Sequence, residues 1–185
     1  MRFESDDLTA KEIAELSFGE WPAPEPYLLE IGRLLQVWGN LEDLIGQFIG
    51  KLAGFEEIAD RTAYILTVHS SFPQKLQMLE SLCEGLSADF DNLAPYKQIT
   101  GRIRSLQSVR NKFAHHGVTI DPQTGQAQMP MVSAIGKLKM TVDIIALDEI
   151  RHATIKIQEA QVLLYNMILR TNYDPIWKKL SGKEA

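Results

Sequence analysis

From Pro26 to Leu52 the apolar residues Ile31, Leu34, Leu35, Trp38, Leu41, Ile45, Phe48, Ile49 and Leu52 recur at intervals of three and four. That period sets them on one face of an α-helix and excludes a strand, whose faces alternate every second residue. At 1.5 Å of rise per residue the helix spans roughly 40 Å, long enough to run the length of a helical bundle. Gly32, Gly39 and Gly46 fall seven apart on one face, a regularity that suits close approach of another helix.

The segments that follow keep the helical period. Gly54 and Glu56-Glu57 open a second helix carrying Ile58, Thr62, Ile65 and Leu66. Ser70-Ser71-Phe72-Pro73 stops it and caps a third, with Leu76, Leu79, Leu82, Cys83 and Leu86 on one side. A fourth begins near Asn92 and ends at Gly117. The period then changes to two. Val118 and Ile120, Ala127 and Met129, and Leu138, Met140, Val142 and Ile144 each alternate with other residues, and Asp121-Pro122-Gln123-Thr124-Gly125 supplies a turn. Asp148 caps a last long helix with Ile150, Ala153, Ile157, Ala160 and Leu164 as its buried stripe. The expected architecture is mainly α, a bundle of about five main helices with a small β-hairpin or sheet insertion (about 118–145) before the last helix. Residues 1–24 read as a short helix opened by Thr9-Ala10-Lys11-Glu12 and a proline-rich arm, 25–173 as one helical domain, and 174–185 as a tail.

No apolar run reaches the roughly 18 to 20 residues of a membrane helix, and the acidic start Met1-Arg2-Phe3-Glu4-Ser5-Asp6-Asp7 lacks the apolar stretch of a secretory signal. A cytoplasmic location without membrane contact is the expectation. The single cysteine, Cys83, excludes an intrachain disulfide and a zinc site built on several cysteines.

Charge is distributed unevenly. The chain carries a net −5, yet between Asp91 and Asp121 there is no acid, while Lys97, Arg102, Arg104, Arg110 and Lys112 lie there beside His115 and His116. A local basic field attracts anions whatever the net charge, so phosphate is the ligand class to consider. In helical phase Ile99, Ile103, Leu106 and Phe113 form a stripe that includes Arg110, and Arg104, Ser108, Asn111 and His115 form a polar stripe next to it. An inward arginine is costly unless paired or at an interface.

Arg110-Asn111-Lys112-Phe113-Ala114-His115 resembles the signature of the HEPN superfamily: an arginine, a polar residue, and a histidine after a gap of four to six residues in an all-helical bundle. The resemblance implies a metal-independent endoribonuclease in which arginine and histidine of two protomers face each other across a dimer cleft and the 2′-hydroxyl attacks. Arg110, Asn111 and His115 would then be catalytic, and Arg104, Lys112 and His116 would contact substrate. Lys137 and Lys139 offer a further basic edge. No cofactor and no metal is implied, RNA is the implied partner, and a homodimer is the implied assembly. The runner-up reading is a non-catalytic HEPN-like binding and dimerisation module, associated with a protein partner, with nucleic acid, or with toxin–antitoxin or defence systems.

Other chemistries lack their residues. Glu149-Ile150-Arg151-His152 matches one Glu-x-x-His element of di-iron bundles, which need two copies. There is no His-Glu-x-x-His, no phosphate-binding glycine loop and no Gly-x-Ser-x-Gly elbow.

Overall fold

The structure, a computed structural model, describes residues 23–55, 60–133 and 137–173. Among these are five α-helices, α1 (Glu25–Ala53), α2 (Arg61–Thr67), α3 (Phe72–Leu86), α4 (Tyr96–His115) and α5 (Leu147–Ile168), and three strands, β1 (Thr119–Ile120), β2 (Ala127–Ser133) and β3 (Lys139–Ile144). The mainly helical class and the small antiparallel sheet before the last helix are as the periodicities predict. The helix expected near Thr9 lies outside the described residues.

The described residues divide into two compact units, one holding 30–115 and 147–173, the other 23–29 and 116–146. In the helical unit the core is drawn from the predicted stripes of α1, α3, α4 and α5. Leu34, Trp38, Leu41, Ile45, Phe48 and Leu52 from α1 are buried, as are Leu76, Leu79, Cys83 and Leu86 from α3, Ile103 and Phe113 from α4, and Ile150, Ile157 and Leu164 from α5. Cross-links show the directions. Lys112 to Glu149 (3.2 Å) and Asn92 to the Met167 carbonyl (2.6 Å) run α4 antiparallel to α5. Burial of the Cys83 thiol, with Glu80 adding a like charge, pushes its pKa from 9.0 up to about 12. Keeping that thiol neutral contributes stability that is complete below about pH 9 and is lost as pH rises through about 12.

Several boundaries differ from expectation for identifiable reasons. α1 begins at Glu25 with Pro26 in its first turn, where a proline gives up no helical bond. Gly54, with φ of 90°, ends α1 in a Schellman motif: Phe55 N–H reaches the Gly50 carbonyl and Gly54 N–H that of Lys51. α2 starts at Arg61, where Asp60 accepts from the Thr62 and Ala63 N–H groups at 2.7 and 3.3 Å. Its inward residues are therefore Ala63 and Thr67, and Ile65 and Leu66 are exposed. α4 starts at Tyr96, not Asn92, since a 3₁₀ turn (Asp91–Leu93) and Pro95 come first and the Pro95 carbonyl accepts the first helical bonds. Gly117 follows α4 without a left-handed φ.

Of the three glycines spaced seven apart, only Gly46 faces another helix among the described residues, where a Cβ would lie 3.5 Å from Thr67 Oγ1 of α2. A Cβ on Gly32 or Gly39 would meet nothing within 4 Å, whereas a Cβ on Gly50 would lie 2.6 Å from that of Ala63. Gly50 is where α2 approaches α1 closely. Gly50→Val is expected to destabilise the fold by about 1–3 kcal/mol through overpacking, and Gly39→Ala to stabilise it by up to about 1 kcal/mol. Urea unfolding of the two variants checks both signs.

In the other unit the strands pair in the order β1-β2-β3, with Ile120 opposite Ala127 and Val132 opposite Met140. The hairpin between β1 and β2 turns at Asp121, whose carboxylate accepts from the Thr124 hydroxyl (2.7 Å) and the Gln123 N–H (3.0 Å), with Gly125 at φ 68°. The Tyr27 hydroxyl donates to the Ile145 carbonyl at 3.2 Å. Met129, Ala127 and Ile145 are buried. Met140, Val142 and Ile144 are not, and their exposures of 71, 58 and 68% reverse the usual inward placement of an alternating apolar set.

Candidate functional site

The motif occupies the last turn and a half of α4. Its helical phase is set by Ile99, Ile103 and Phe113, whose burial turns Arg110 towards α1. The guanidinium carbon of Arg110 lies 5.9 Å from the ring centroid of Trp38, within cation–π range. Trp38 is itself fixed by Phe72, ring centroids 4.5 Å apart. Arg110 Nη1 donates to Asn111 Oδ1 at 3.0 Å. Arg110 Nε is buried and has no hydrogen-bond partner among the described residues. Buried polar atoms are nearly always paired, so the side chain is held by one face and one nitrogen while another donor is left over.

His115 is exposed at the final helical position and makes no hydrogen bond or ion pair among the described residues. Asn111 lies one turn before it on the same face. Arg110 and His115 are five apart, which separates them by roughly 7.5 Å along the axis and about 140° around it. The helix thus presents them in different directions from one copy of the chain. His116 is the next residue after α4, half-buried, and the first of the sheet unit.

The expected basic field is largely discharged. Lys97 meets Glu84 at 3.2 Å, Arg104 meets Glu80 at 2.5 Å, and Lys112 meets Glu149 at 3.2 Å. A segment free of acids in sequence is faced in space by carboxylates from α3 and α5. The Tyr96 hydroxyl and the Lys97 ammonium hold the Glu84 carboxyl below the usual range. Arg104 and Lys112, read as substrate contacts, are therefore engaged, and a phosphate would have to displace a carboxylate to reach either. The Lys112 pair also occupies Glu149, the carboxylate of the Glu-x-x-His element, and among the described residues no three His, Cys, Asp or Glu converge as metal ligands.

A groove of about 380 Å³ between α4 and α5 is lined by Arg102, Ser105, Leu106, Lys156 and Glu159 and does not include the motif. The Lys156 ammonium, with His152 and Arg102 nearby, holds the Glu159 carboxyl low. Sequence reasoning missed Trp38 as the platform under Arg110, because at its position it reads as one more member of the α1 core stripe. It also missed Glu80, Glu84 and Glu149, for which no local signal exists. Among the described residues no helix is long and apolar enough to cross a membrane. No protein-family model, no curated protein and no solved structure matches this chain.

Proposed function

We propose that this chain is a HEPN-like endoribonuclease that cleaves RNA by attack of the 2′-hydroxyl on the adjacent phosphorus, with two copies of α4 forming one cleft. The observation that carries the reading is Arg110: a guanidinium braced on Trp38 and Asn111, with a buried Nε lacking a partner, one and a half turns before an exposed histidine. Two-fold pairing would set the arginine of one copy opposite the histidine of the other, which the divergence along a single helix calls for.

In that cleft one His115 takes the proton from the 2′-hydroxyl as the new O2′–P bond forms. The P–O5′ bond breaks, and the second His115, entering as imidazolium, gives its proton to the departing 5′-oxygen. Arg110 donates to the non-bridging oxygens while charge develops on them. Asn111 orients the guanidinium through the 3.0 Å bond.

The test compares wild type, Arg110→Ala and His115→Ala on mixed single-stranded RNA in excess EDTA, each first shown to be folded. Cleavage by wild type and its loss in both variants is the expected result. Equal cleavage by all three would assign the activity to a contaminant. No cleavage by wild type, with salt-sensitive RNA binding retained, would replace the nuclease with a binding module.

A further inference from the structure

Among the described residues β3 is the terminal strand of its sheet, and its outer edge has no partner. Ile145 N–H donates to the Ala127 carbonyl at 2.9 Å, so in this register the odd-numbered residues of β3 direct their backbone groups to β2. Met140, Val142 and Ile144 direct theirs to the open edge. The same three residues carry exposed apolar side chains, flanked by Leu138 at 70% and Val132 at 57% exposure. An edge of this length and composition is a template for another strand.

The sequence of the strand says which one. We propose that β3 pairs antiparallel with β3 of a second copy of this chain about a two-fold axis at Thr141, joining the two sheets edge to edge. About that axis Lys139 lies opposite Asp143, Met140 opposite Val142, and Leu138 opposite Ile144, so that opposite charges meet and apolar residues meet apolar residues. A parallel in-register pairing would set Lys139 on Lys139 and Asp143 on Asp143. An axis at Val142 would set Lys139 against Ile145 and Asp143 against Thr141. The Thr141 axis is the central register that sets Lys139 against Asp143 and keeps like charges apart. Met140 and Val142 then exchange the backbone bonds their groups already point outward to make. This interface rests on no part of the ribonuclease reading, and its failure would leave the Arg110 and His115 comparison unaffected.

Thr141 pairs with itself across the axis as a non-hydrogen-bonded pair, with Cα atoms about 4.5 Å apart, inside the range a disulfide spans. Lys139 lies four residues off its own mate, roughly 13 Å away. Thr141→Cys under mild oxidation is expected to give a dimer of twice 20.9 kDa on a non-reducing gel, and Lys139→Cys to remain monomeric. Cys83 stays in place, since it is buried and its thiol is held protonated. As a second measurement, Lys139→Asp should lower the yield of the Thr141→Cys cross-link about tenfold, and Lys139→Asp with Asp143→Lys should restore it. No cross-link at Thr141, equal cross-linking at both positions, or a charge swap that fails to restore association would overturn the proposal.

Discussion

His115→Ala is expected to slow RNA cleavage by about 10²- to 10⁴-fold, the usual cost of losing a positioned proton-transfer group. The variant's stability should stay within about 0.5 kcal/mol of wild type, because the side chain is exposed and bonded to nothing among the described residues. That separation gives the substitution its value. A parallel fall in melting temperature would show that His115 is part of the helix end and would remove the catalytic assignment. Asn111→Ala should cleave at a rate between those of wild type and His115→Ala, since it loosens Arg110 without removing either reacting group.

The largest effect on the fold is expected at Trp38. Its side chain is 2% exposed, packs on Phe72, and carries Arg110 over its ring. Trp38→Ala should cost about 3–5 kcal/mol, a large share of the roughly 5–15 kcal/mol that holds a domain of ordinary stability together. Trp38→Phe keeps most of the apolar contact and should cost much less, but it shrinks the platform under the guanidinium. Measured side by side, Trp38→Phe is expected to lose more cleavage than stability by urea unfolding. A loss below about 1 kcal/mol in Trp38→Ala would mean that the core does not close around this ring.

The helices were legible because burial repeats at the helical period. Leu34, Leu41, Phe48 and Leu52 on α1, and Ile150, Ile157 and Leu164 on α5, are buried where their spacing puts them. Strand β3 was legible as a strand but not in its facing, because alternation fixes that Met140, Val142 and Ile144 share a side without fixing which side is covered. The candidate site was half legible. The inward turn of Arg110 follows from its place in the stripe of Ile103 and Phe113, but Trp38 beneath it comes from a distant part of the chain. The charge of α4 was misleading for the same reason. An acid-free stretch looks like a basic patch until Glu80, Glu84 and Glu149 are brought against it by packing that no local pattern records.

The end groups left on RNA test the proposed function most directly. Wild-type protein should be incubated with 5′-labelled single-stranded RNA in excess EDTA, alongside the same RNA carrying a 2′-deoxy sugar at the cleaved position. In-line attack by the neighbouring hydroxyl predicts a 2′,3′-cyclic phosphate on the upstream fragment and no cleavage at the deoxy position. A 3′-hydroxyl end, or cleavage that continues at the deoxy sugar, would show water as the nucleophile and contradict the roles given to His115 and Arg110.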